Sequence, residues 1–89
     1  MISETFKRII ISTLGSQYSP AIASHLEEQG IRNNDGKPFS NESIRQFVNG
    51  NRENREVERA VVDLVEKESQ EAKQLAKRTE RVIKSIQSA

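Results

Sequence analysis

Apolar residues recur at the spacing of one helical face along most of the chain. Phe6, Ile9, Ile10 and Leu14 form the first set and predict a helix over 3–14, with Ser3 as its cap and Gly15 just past its end. Ile22, Ala23 and Leu26 form the second. Ser19 is expected to cap this helix by accepting from the free amides of its first turn, with Pro20 at the first helical position. Tyr18 then stands where a staple residue meets Ala23, and Gly30 supplies a left-handed stop.

The segment "IRNNDGKPF" breaks the helical pattern. Asp35-Gly36 is a strong turn signal, because both residues can reach positive φ. It predicts a very small β-hairpin over 31–39, or a tight loop. "FSNESIRQFVNG" then reads as a short helix, capped by Ser40, stapled by Phe39 against Ile44 and stopped by Gly50. Ile44, Phe47 and Val48 fall on one face; Asn41, Glu42, Arg45, Gln46 and Asn49 fall on the other.

Asn54 is expected to cap a fourth helix whose apolar face is Val57, Val61, Leu64 and Val65. No Gly or Pro follows, so the helix can run on to about residue 87, although a break near Ser69-Gln70 is equally allowed. From Val65 a spacing of three and four gives Val65, Glu68, Ala72, Leu75, Thr79, Val82 and Ile86, a three-heptad seam with one charge in it. Val65, Ala72, Leu75, Val82 and Ile86 are its candidate dimerisation residues. The expected fold is all-α: a small helical bundle containing a helix-turn-helix over 1–66, with a helical extension over 67–89.

Composition bounds this picture. Eighty-nine residues, 34% hydrophobic, allow one small core with part of the chain outside it. The absence of cysteine excludes disulfides and thiolate metal sites. Neither a secretory signal pattern nor a membrane-spanning run appears, so the expectation is a cytoplasmic protein of bacterial or phage type, acting without membrane or metal. Net charge is only +1, but it is unevenly spread: −1 over 1–30, +2 over 31–55, −3 over 56–68 and +3 over 69–89. The basic stretch centres on the short third helix.

A helix held in a core by one face can lay its other face in a DNA major groove. Arg45 has the fork to pair with guanine; Asn41, Gln46 and Asn49 have amides suited to adenine; Glu42 can accept from cytosine. These five are the expected base-reading residues. Free amides at the start of the second helix, at Ser19, Ala21 and Ile22, make a phosphate site, with Arg32, Lys37, Arg52 and Arg55 as further phosphate contacts. The expected partner is double-stranded DNA, bound by a homodimer without any cofactor.

Other chemistry fits poorly. Residues 31–42 link two helices and end in Glu42, as a calcium loop would, but Ile31 holds the first ligand position and Pro38 the usual aliphatic site. His25 is the single histidine and cannot build a zinc site alone. No nucleophile has an obvious base partner and no glycine-rich phosphate loop is present, so an enzyme is not expected. The main rival is a helical adaptor or antirepressor that binds a protein through the C-terminal helix.

"SIRQFVNG" (43–50), preceded by "SPAIASHL", resembles the second half of a lambda repressor/Cro-type helix-turn-helix. Ile44 matches the buried aliphatic, Arg45-Gln46 the exposed pair, Phe47-Val48 the apolar pair and Asn49-Gly50 the end. Ala23 matches the small residue at the helix crossing, and "VERAVVDLV" resembles the helix that follows. The resemblance spans 19–65 and implies a helical bundle, sequence-specific DNA binding, usually as a dimer, and base reading by Asn41, Glu42, Arg45 and Gln46. "GIRNNDGKPF" lengthens the turn by about ten residues relative to that pattern. With "SNESI" it is similar instead to small DNA-binding modules of large serine recombinases.

Overall fold

Backbone groups left free at helix ends need partners, and here short side chains cap three helix starts while glycines shape the helix ends. The computed structural model describes residues 2–88 as four helices: α1 (Glu4–Leu14), α2 (Tyr18–Glu28), α3 (Asn41–Val48) and α4 (Arg55–Ser88). Ser3 accepts from the Phe6 amide at 3.1 Å, Ser40 from the Ser43 amide at 3.1 Å, and Asn54 from the Glu56 and Val57 amides at 3.0 and 3.2 Å. The three caps expected for α1, α3 and α4 are therefore formed.

The start of α2 differs from expectation. The helix opens at Tyr18, its cap position is Gln17, and no side chain caps it. Ser19 and Pro20 thus lie inside the first turn. Proline is tolerated there because the amide it lacks would have had no helical partner. Tyr18 is not a staple outside the helix but a buried member of the core, and Ser19 is buried beside it.

Both α2 and α3 end in the same two-bond pattern. Gly30 and Ile31 donate to the carbonyls of Glu27 and Leu26; Gly50 and Asn51 donate to those of Phe47 and Gln46. This is the Schellman closure, which needs a left-handed residue just past the helix, and Gly30 and Gly50 supply it at φ 70° and 79°.

No strand forms among the described residues, so the hairpin alternative over 31–39 is replaced by a tight loop. A hairpin turn of the favoured kind needs positive φ at two central residues, and only Gly36 has it. Asn33 organises the loop instead. Its side-chain oxygen accepts from the Asp35 and Lys37 amides, both at 2.9 Å, and its own amide donates to the Lys37 carbonyl at 2.9 Å.

The core gathers Ile10 from α1, Tyr18, Ile22 and Leu26 from α2, Ile44, Phe47 and Val48 from α3, and Val57, Ala60, Val61, Leu64 and Val65 from α4, with Ile2 beneath. α2 is central: it packs on α1, α3 and α4. α4 is one unbroken helix of 34 residues, about 50 Å long, and only its first third touches the rest. Beyond the half-buried Glu68 and Ser69, every residue from 70 to 87 is exposed. The molecule is a four-helix head with a helical arm, 59 × 26 × 19 Å.

A candidate nucleic-acid interface on α3

Eight residues make α3, and its two faces are sharply divided. Ile44, Phe47 and Val48 are 1, 5 and 1% exposed and seat the helix against α2. Phe39, just before the cap, meets Phe47 edge to face and packs on the same core, so the long turn is pinned to the helix it leads into.

On the outer face, Asn41, Glu42, Arg45 and Asn49 are exposed and Gln46 is half-buried. Several of these side chains are linked. Gln46 donates to the Glu42 carboxylate at 3.1 Å and accepts from the Asn51 amide at 3.1 Å. Arg45 lies 3.9 Å from the other Glu42 oxygen. Exposed bonds of this kind add little stability. They set a carboxylate and two amides in one row, with both the nitrogen and the oxygen of the Gln46 amide engaged and the Arg45 guanidinium beside them.

Asn51 is the residue that sequence reasoning missed. It lies past the glycine stop, outside the helical pattern, and only the Schellman turn brings it back alongside Gln46. A signal was present: the stop at Gly50 fixes the position of the next residue against the last turn.

The residues expected to contact phosphate separate into four groups. Arg52 lines a cleft of about 400 Å³ beside α3, shared with Asn33 and Asn34 of the turn, Glu53 and Asn54, over Phe39 and Phe47. Lys37 and Arg55 are exposed, on the turn and at the first position of α4. Arg32 turns back toward α2, where its Nη2 donates to Glu27 at 3.5 Å. The amide site on α2 moves with the helix start. With Tyr18 first, the amides of Ala21 and Ile22 fall at the depth where helix bonds to Gln17 and Tyr18 use them, and the Ile22 side chain is 1% exposed. The free amides of that turn belong instead to Tyr18 and the buried Ser19.

Of the seam residues on α4, Val65 is 6% exposed because the head covers it, whereas Leu75, Val82 and Ile86 are 63, 57 and 71% exposed and Ala72 is exposed too. Ile83, outside the heptad seam, is 49% exposed on the same side.

His25 is half-buried, and its Nε2 is shielded from solvent without a hydrogen-bond partner. Among the described residues no three His, Asp or Glu side chains are grouped to hold a metal ion, and no helix is long and apolar enough to cross a membrane. Comparison of the chain with protein-family models, curated proteins and solved structures finds no match.

Proposed function

We propose that the protein binds double-stranded DNA and reads its sequence in the major groove with α3, as a regulator of phage or mobile-element type. The observation that carries this reading is the division of α3. Three buried residues fix its orientation, while Glu42, Arg45, Gln46 and Asn51 stand as an ordered row of forks and amides on the open side. Side chains held in a row before binding lose less freedom when they meet base edges. Asn41 and Asn49 extend the row at the two ends of the helix.

Arg52, Lys37 and Arg55 suit the flanking phosphates, Arg52 from the rim of the cleft. Ala21 and Ile22 drop out of the contact set, because their amides are already bonded in the helix.

Selection of bound sequences from a randomised duplex pool at moderate salt tests the proposal. An enriched motif is the expected result. A folded protein that enriches nothing would shift the reading to the adaptor, which the exposed apolar arm of α4 favours. That adaptor would tolerate replacement of Asn41, Arg45 and Gln46 and would depend on the arm.

A further inference from the structure

The exposed arm of α4 repeats the face that the head covers. Val57, Val61, Leu64 and Val65 are 0, 1, 7 and 6% exposed under α1 and α2. Eighteen residues further on stand Leu75, Thr79, Val82 and Ile83, in the same spacing. Eighteen residues are about five full turns, so each arm residue lies directly in line with its counterpart, about 27 Å along the axis. Ala72, Ala76 and Ile86 fill the same stripe, which spans roughly a third of the circumference, as on a core-facing helix. The remaining surface is basic, with Lys73, Lys77, Arg78, Arg81 and Lys84 against Glu71 and Glu80.

We infer that the arm pairs with the arm of a second copy, stripe to stripe and antiparallel. The direction follows from the shared face. In a parallel pair each stripe looks at its partner, and so does each head, because head and stripe occupy one side of α4. The two heads would then claim the same space at the level of Val57–Val65. A parallel pair would also set Glu68 against Glu68, and like charges across a seam repel.

Running the arms in opposite directions removes both conflicts. With Leu75 opposite Ile86 and Thr79 opposite Val82 of the second copy, Ala76 meets Ile83, and Glu68 lies outside the paired stretch and away from its counterpart. The pairing is self-complementary, as a two-fold interface requires. The heads stand at opposite ends, about 60 Å apart between their Val61 positions by the helical rise. Two heptads are a small interface against the roughly 1,200–2,000 Å² that stable complexes bury, so the pair is weak and reversible. This inference goes beyond the DNA reading and does not rest on it.

The chain lacks cysteine, so single thiols can be placed cleanly. Thr79→Cys and Val82→Cys proteins, one carrying a mass tag, are mixed at about 100 μM without DNA under mild oxidation; this range is where a weak pair assembles. The expected product is the mixed disulfide, at least fivefold over either homodimer and over an Arg81→Cys control on the basic side. Excess Thr79–Thr79 homodimer would establish the parallel pair and overturn the inference. No product above control, with helicity by circular dichroism unchanged, would also overturn it. Capture of the arm by vesicles one-quarter phosphatidylserine, without cross-linking in their absence, would assign the stripe to a membrane surface instead. Duplex selection is read separately, so loss of pairing and loss of DNA binding are distinguishable.

Discussion

Phe39 and Phe47 meet with ring centroids 5.6 Å apart and planes at 83°, across the junction between the long turn and α3. Edge-to-face pairs add about 0.5–1.5 kcal/mol beyond the area they bury. Phe47 is 5% exposed and anchors α3, whereas Phe39 is only partly covered. Phe47→Ala should cost about 3–5 kcal/mol and Phe39→Ala about half of that. Urea unfolding checks both, and equal losses would contradict this account of the junction.

Gly30 sits at φ 70° with no atom within 4 Å of the place a Cβ would take. Substitution there meets no crowding, so the whole cost is backbone conformation. Gly30→Ala should lose about 1–2 kcal/mol, and Gly30→Asn less, because asparagine enters the left-handed region more easily. Thermal denaturation of the two variants decides it; identical midpoints would place the cost elsewhere.

Arg45 and Arg52 should differ in kind when DNA is bound. Arg45→Ala should cost about 1–3 kcal/mol at one base pair and relax selectivity there. Arg52→Ala should weaken all duplexes alike and reduce the slope of log affinity against log salt by about one. Titrations across several salt concentrations on matched and mismatched duplexes separate the two. If both variants bind as the parent does, α3 is not the reading helix.

Removing residues 72–89 should leave the stability of the head within about 0.5 kcal/mol of the full chain, since substitutions away from packed features rarely exceed that. No described residue past Ser69 is buried. The urea midpoint is the measurement, and a shift of several kcal/mol would mean that the arm supports the core.

Much of the fold was legible in the residues. Ser3, Ser40 and Asn54 announced their caps, and Gly15, Gly30 and Gly50 the stops, because each role has few residue types able to fill it. The apolar faces of α3 and α4 followed from period alone; that of α1 did so only in part, since Ile10 is buried and Phe6 and Leu14 are partly covered, whereas Ile9 is 45% exposed. The start of α2 did not follow, because a proline fits any of the first positions whose amide is free, so "YSP" allowed more than one beginning. At 31–39 the tight loop forms rather than the hairpin that Asp35-Gly36 also allowed, because Asn33, two residues earlier, makes the controlling bonds. Continuity of α4 was open in the sequence, since no residue near Ser69 either stops a helix or requires one. For the candidate site, the polar row of α3 was readable from spacing, but Asn51 became visible only through the turn that folds it back. The burial of Ser19 needed the packing of α2, whereas that of Ile22 followed from its place on the apolar face of that helix.

The recurrence along α4 has a consequence for folding. A head searching for its place meets two strips of similar outline, its own on α4 and the exposed one on the arm of a neighbouring chain. Two substitutions within the recurrence make it a poor berth. Arg78 stands where Ala60 is 5% exposed, and Thr79 where Val61 is 1% exposed. Docking there would bury a guanidinium and a hydroxyl without partners, which is costly. An R78A/T79V variant should therefore refold with an added slow phase, as heads that settled on the arm are released; single-phase refolding like the parent's would show that the decoy strip is never sampled. The arm can thus be apolar enough to be useful while remaining unattractive to the head of a neighbouring chain.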